Sequence, residues 1–193
     1  GCLWRLRSRA FSYSALSSQF LEDKQLKWGS VPWHAGLFVL LAGHLVALCL
    51  PNLWQWLVSS RTVLLVIESI GAACAFLSIW GLAVLLVRRL VTPALQSTST
   101  PLDFVVIGIL LFQFLTGLSI ALAHRWGAAW APGALSPYLK SLLLLSPNLE
   151  YMADLPGLVK MHIAGFWTLL ALFPFTRLVH ALSVPIHYLW RPP

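Results

Sequence analysis

Four stretches of this chain are long and apolar enough to cross a bilayer, and no other feature constrains its fold as tightly. They run from Pro32 to Leu50, Thr62 to Val87, Leu102 to Ala123 and Leu158 to Val179. Each approaches the roughly 20 residues that an α-helix needs to traverse the hydrocarbon core. With 59% apolar and only 10% charged residues, the composition is that of a membrane protein and not of a soluble domain. The sequence therefore predicts an all-α transmembrane bundle of four spanning helices. The second run exceeds what a bilayer requires, which predicts tilt or an extramembrane turn.

A net charge of +7 would suit nucleic acid if it were gathered on one surface, but its distribution is that of a membrane protein's loops. Arg5, Arg7, Arg9, Lys24 and Lys27 precede the first run, Arg88 and Arg89 follow the second, and Arg177 and Arg191 close the fourth. These nine share one side of an up-and-down bundle, against four (Arg61, Arg125, Lys140 and Lys160) on the other, where Glu150 and Asp154 offset them. That asymmetry predicts cytoplasmic termini, with no nucleic-acid partner. The chain then divides into a basic connection (1–31), a bundle (32–182) carrying a long outer loop (124–156), and a cytoplasmic tail (183–193). Pro32 is expected to open the first helix and Pro51-Asn52 to end it. Trp54 and Trp56 are expected in an outer aromatic belt, and Trp28 and Trp33 in an inner one. Within the outer loop Leu139 to Leu145 is apolar but too short to span, which predicts a helix lying on the outer surface.

Histidines inside two of the runs carry the chemistry. The first run holds His34 and His44, ten residues apart, and the fourth holds His162 and is followed directly by His180, eighteen residues on. On an α-helix eighteen residues make five whole turns, about 27 Å of rise, so His162 and His180 leave one face. Ten residues rise about 15 Å. In antiparallel helices, His34 lies level with His180, and His44 with His162. The unequal rises require tilt or a bend, for which Pro174 is the natural place. Histidine in hydrocarbon is costly, and matched pairs on facing helices point to two stacked haems, each held by an imidazole from either helix. Averaging the rises puts the irons roughly 20 Å apart, a span suited to moving electrons across the bilayer. Bis-histidine iron has no open position for substrate. Gly36, Gly43 and Gly165 lie within three residues of these ligands, where a macrocycle would approach the backbone. Zinc or copper, as in a metal transporter, would need ligands clustered at i, i+3 or i, i+4. The three cysteines, Cys2, Cys49 and Cys74, are scattered without a C-x-x-C-H, which excludes covalent haem. Cys49 and Cys74 read as small packing residues.

At these residues the chain resembles the gamma subunit of respiratory nitrate reductase, a membrane dihaem cytochrome b. The likeness lies in Ser17-Ser-Gln-Phe-Leu, His34 with Gly43-His44, Arg88-Arg89-Leu, Met161-His162, and the block from Leu172 to Pro185 around Phe173-Pro-Phe-Thr-Arg-Leu-Val-His180. The resemblance covers essentially the whole chain. It implies two haem b groups, the inner held by His34 and His180 and the outer by His44 and His162. It also implies oxidation of quinol, such as menaquinol, near the outer haem. Electrons would then pass to a cytoplasmic iron–sulfur subunit and on to a molybdenum catalytic subunit that reduces nitrate. Related subunits serve nitrite oxidation and sulfur metabolism. Family members carry a helix ahead of the region matching Gly1 to Arg9, which this sequence lacks; truncation or cover by another polypeptide is expected there. The family also places a quinol-binding lysine at the outer start of the second helix, where this sequence has Arg61.

Trp54, Arg61, Glu68 and His124 are accordingly expected to border a quinol pocket, with Glu68 about two turns from Arg61 on a similar face. Arg177, one turn before His180, is placed to pair with a propionate of the inner haem. As alternatives, the residues allow a dihaem conduit fed by a protein donor without quinol, a non-haem metal transporter, or a purely structural subunit. A chain with no nucleophile, nucleotide loop or open metal site is not a complete enzyme, and is expected to be the electron-transfer subunit of an oxidoreductase complex.

Overall fold

The computed structural model describes residues 23–124 and 126–182, with side chains from Lys27 to Val179. The basic N-terminal residues, Arg125, His187, the tail and the side chain of His180 lie outside this. The helices are α1 (Asp23–Cys49), α2 (Pro51–Ser59), α3 (Arg61–Val91), α4 (Pro93–Gln96), α5 (Pro101–Ala123), α6 (Ser136–Leu143) and α7 (Gly157–Leu172). Four stretches have the length and composition to cross a membrane: Lys27–Cys49, Arg61–Val91, Pro101–Ala123 and Gly157–Phe175. The all-α membrane bundle read from the apolar runs is thus the observed architecture, and no strand occurs among the described residues.

Two helix boundaries differ from the sequence reading. Hydropathy placed the start of the first helix at Pro32, but α1 is already helical at Asp23, the first described residue, with Pro32 inside it. Apolar runs mark where lipid begins; the Lys24-Gln-Leu-Lys27 segment ahead of the run is made of residues that extend a helix readily in water. The fourth helix, expected to continue to Val179, stops at Leu172. Tight 3₁₀ turns at Phe173–Phe175 and Arg177–Leu182 follow, separated by an extended Thr176 (φ −114°, ψ 168°). Pro174 offers no N–H for the ladder and its ring crowds the preceding turn, so the α-helix ends there. The five-turn argument relating His162 to His180 therefore does not carry past Thr176.

The core sits where α1, α3 and α5 cross. Trp33, Leu82, Val106, Leu110 and Phe114 are buried together, with Leu37, Leu40, Ile79 and Leu169 around them. Trp33, expected in an interfacial belt, instead packs edge-on against Phe114 at 6.2 Å between ring centroids. Trp28 is exposed, as a belt residue should be. Small residues let α1 and α3 approach closely, as packing within lipid favours. A Cβ on Gly81 would lie 2.5 Å from the Gly29 carbonyl oxygen, and one on Gly36 would collide with the Ser78 hydroxyl and the Cys74 carbonyl. Ser78 is fully buried and donates to the Cys74 carbonyl at 2.9 Å. Gly36 and Gly165 thus serve helix packing, Gly165 against Gln113 and Phe112. Cys74 is half-buried at this crossing, whereas Cys49, expected in packing, is exposed at the end of α1.

At the basic end one carboxylate ties three segments together. Asp103 caps α5 by accepting from the Thr100 N–H at 2.8 Å, behind Pro101 in the first turn. Arg89 from α3 lies 3.3 Å from it, and Arg177, beyond α7, lies 3.2 Å from its other oxygen. Arg177 also donates to the Thr98 carbonyl at 3.0 Å, and Arg89 to the Ser99 hydroxyl at 3.0 Å. Arg177, expected beside a propionate, is here engaged by Asp103. Both arginines are partly exposed, so solvent screens each pair and much of Asp103's worth is its cap. Replacing Asp103 with alanine is expected to cost about 1–2 kcal/mol, lowering the melting temperature of the purified protein by roughly 2–8 °C. An unchanged melting curve would show that the clasp carries no stability.

Candidate functional site

His44 from α1 and His162 from α7 face one another between the two helices. Their ring centroids are 6.3 Å apart and their planes differ by 33°. Both Nδ1 atoms are occupied: that of His44 donates to the Leu40 carbonyl at 2.7 Å, and that of His162 lies 2.9 Å from Thr116 Oγ1. In each ring this leaves Nε2 as the nitrogen available for a ligand.

The pair fits an axially ligated haem iron. Two imidazoles bound through Nε2 at about 2 Å from a shared metal set their centroids roughly 6 Å apart. A twist between planes that share the ligand axis is compatible with that arrangement. Among the described residues no third histidine, cysteine or carboxylate joins them to make a metal-binding group. Two protein donors are what an iron needs when a porphyrin supplies the rest. Nothing lies within 4 Å of where a Gly43 Cβ would stand, so the helix flank beside His44 is open. A separate apolar groove of about 310 Å³ lies between α5 and α7, lined by Ile109, Phe112, Met161, Ala164, Gly165 and Thr168; neither histidine lines it.

His34 lies ten residues before His44 on the same helix, and it is organised in the same way. Its Nδ1 donates to the Ser30 carbonyl at 2.8 Å, with the Ser30 hydroxyl 3.2 Å away. The ring sits 4.7 Å from Trp33 and 6.2 Å from Phe38. The backbone of His180 lies in the 3₁₀ turn Arg177–Leu182, which the Arg177–Asp103 pair holds against the start of α5.

The four remaining candidates converge on one short segment of the long loop. The Trp54 indole donates to the Ala128 carbonyl at 2.7 Å, and Glu68 Oε1 accepts from the Ala128 N–H at 3.4 Å. The Arg61 guanidinium lies 5.6 Å above the Trp126 ring, and the His124 ring is 5.8 Å from Trp130. Trp126 has φ 73°, a strained left-handed conformation for a bulky residue. Trp54 is therefore a buried strut for this loop and not the exposed belt residue expected, a position that Trp56 does hold. Ala47, Trp54 and Ala131 form a small core here, and the buried Ser136 at the head of α6 donates to the Ala47 carbonyl at 3.1 Å. Ala47 is one turn beyond His44, so this corner adjoins the histidine pair. α6 itself starts and ends earlier than the Leu139 to Leu145 stretch predicts, leaving Leu144 and Leu145 exposed beyond its end. Changing Trp54 to phenylalanine keeps the ring but frees the Ala128 carbonyl. Limited proteolysis within residues 124–135 is expected to accelerate several-fold; an unchanged rate would show that this hydrogen bond does not hold the loop.

The sequence reading missed Gln113, Thr116 and Gly117 of α5. Gln113 Nε2 donates to the His162 carbonyl at 2.8 Å, and a Cβ on Gly117 would lie 3.1 Å from His162 Cε1. The available signal was two polar side chains, three residues apart, within an otherwise apolar run.

Fold and site together define a multi-pass helical membrane protein with facing histidines contributed by its first and last spans. The chain belongs to the nitrate reductase gamma subunit family, which it matches over residues 1–193. It is 29% identical over 194 residues to the nitrate reductase gamma chain of Bacillus subtilis, covering 99% of this chain and 87% of that one. To the respiratory nitrate reductase 2 gamma chain of Escherichia coli it is 30% identical over 184 residues, covering 94% and 81% respectively. A nitrate reductase-like protein of Mycobacterium tuberculosis, NarX, is 30% identical over 200 residues, covering all of this chain but only 30% of that protein.

Proposed function

We propose that the chain is the membrane cytochrome b subunit of a respiratory nitrate reductase, linking quinol oxidation, with menaquinol or a similar donor, to nitrate reduction across the bilayer. The observation that carries this reading is the facing of His44 and His162 at 6.3 Å, each Nδ1 engaged and each Nε2 left for a metal. Two haem b groups, when bound, supply one-electron chemistry at irons closed to substrate. His44 and His162 would hold one of them, and His34 and His180 the other. The carbonyls of Leu40 and Ser30 fix the tautomers of His44 and His34, so that both present Nε2.

The end carrying Arg89 and Arg177 is the cytoplasmic face of the inner membrane in this reading, following the excess of basic residues there. An iron–sulfur subunit docks on that face and passes electrons to a molybdenum subunit. On the opposite face, the loop segment Trp126–Trp130 closes over the quinol head. Glu68 accepts a proton for release outward, and Arg61 stands where the family has a lysine. A guanidinium is a fixed planar cation where an ammonium is a mobile point charge, so Arg61 orients the loop through Trp126 as well as facing the ligand.

The test is a reduced-minus-oxidised spectrum of the purified chain, followed by addition of a reduced quinol analogue to the assembled complex. The expected result is b-type bands in a two-to-one ratio of haem to chain, reduced by quinol within the turnover time. Absence of those bands overturns the haem reading. Haems that quinol leaves oxidised while a protein donor reduces them overturn the quinol part alone.

A further inference from the structure

The third span grips His162, and we propose that Thr116 is a positioning residue for this axial ligand. It holds the imidazole in the tautomer whose Nε2 faces His44. The proposal rests on the haem reading above and adds a residue on a helix that carries no ligand of its own.

Thr116 is buried, with its Oγ1 2.9 Å from His162 Nδ1. The same oxygen lies 2.8 Å from the Phe112 carbonyl and 3.1 Å from the Gln113 carbonyl of its own helix. Carbonyls only accept, and a hydroxyl has a single proton to give. That proton is committed to the helix backbone, so the lone pair turned toward His162 accepts from its Nδ1–H. Nε2 is then unprotonated and left for a ligand, in a ring whose centroid lies 6.3 Å from that of His44. The grip extends beyond this bond. Gln113 Nε2 fastens the His162 carbonyl, and Gly117 leaves the ring just enough room beside α5. Residues 113, 116 and 117 share one face at helical spacing. His34 and His44 each engage Nδ1 with a carbonyl of their own helix, whereas the Nδ1 of His162 is engaged by a hydroxyl of another span.

An acceptor on Nδ1–H makes the imidazole a more basic ligand, which favours the oxidised iron. Removing it should raise the midpoint potential of the haem held by His44 and His162 and loosen that haem, leaving the other unchanged. The experiment is a potentiometric titration of the purified complex carrying Thr116→Val, which removes the acceptor at nearly constant volume. The haem concerned is identified as the one lost in His162→Ala. Its potential is expected to rise and its retention during detergent washing to fall roughly 10- to 100-fold. Thr116→Ser should restore both. An unchanged potential in Thr116→Val, or a Thr116→Ser variant that behaves like it, overturns the proposal. Should Thr116→Val fail to assemble, Thr116→Cys keeps a weak acceptor: a smaller rise of the same potential supports the assignment, and no rise overturns it. A wild-type complex without b-type haem, or a His162→Ala complex that keeps every haem signal, overturns the haem reading itself, and this proposal with it.

Discussion

His44→Ala and His162→Ala are each expected to remove the same half of the b-type haem from the purified complex and to abolish quinol-dependent nitrate reduction. The two rings face each other at 6.3 Å, so an iron between them loses an axial ligand in either variant. His34→Ala should remove the other half. The measurement is haem per protein together with a redox titration, which distinguishes the two centres by potential. If His44→Ala and His162→Ala deplete different centres, the facing pair does not share an iron. The two need not fail to the same degree. His44 is exposed and held by a carbonyl of its own turn, whereas three residues of α5 grip or flank His162. A cavity at position 162 would keep its pre-formed walls, so added imidazole should rescue His162→Ala better than His44→Ala.

The largest effect on the fold is expected from Gly36→Leu. A Cβ at this position meets the Cys74 carbonyl and the Ser78 hydroxyl of α3, and a helix carbonyl cannot swing aside as a side chain can. α1 and α3 would have to separate, opening the core in which Trp33 packs with Leu82. Overpacking against backbone is expected to cost about 3 kcal/mol or more, which lowers the melting temperature by roughly 6 °C or more in a chain of this size. Size-exclusion profiles in detergent would show loss of the monodisperse species. Gly43→Ala is the control, since nothing lies within 4 Å of its Cβ position, and its stability should match wild type. A stable Gly36→Leu protein would mean that α1 and α3 are not held at this crossing.

Much of the bundle could be read from the chain because lipid imposes a simple rule. Backbone groups in hydrocarbon must be satisfied locally, so a long apolar run becomes a helix whatever surrounds it. His34, His44 and His162 stood out for a related reason: a polar ring amid apolar neighbours is visible in the sequence itself. Boundaries were less legible. The extension of α1 ahead of Pro32 and the end of α7 at Leu172 depend on helix propensity in water and on a proline, neither of which the apolar run records.

The partners of each side chain belong to the tertiary structure. Asp103 stands in the sequence as a lone carboxylate at the head of the third run, yet it joins two arginines that are 88 positions apart in the chain, Arg89 and Arg177. Trp33 and Trp54 had the composition of interfacial belts, but helix crossing buries one in the core and a loop folds over the other. Thr116 reads in isolation as one polar residue in an apolar run; only the approach of α7 brings His162 Nδ1 to 2.9 Å from it. Periodicity reports which residues share a face of one helix. Which faces meet depends on close approaches at Gly36, Gly81 and Gly165 and on the break after Leu172, all of them relations between segments far apart in sequence. The chain by itself therefore determined the number of spans and the histidines available, because lipid acts on each run separately. Helix-on-helix packing decided that His44 faces His162 and what holds each ring in place.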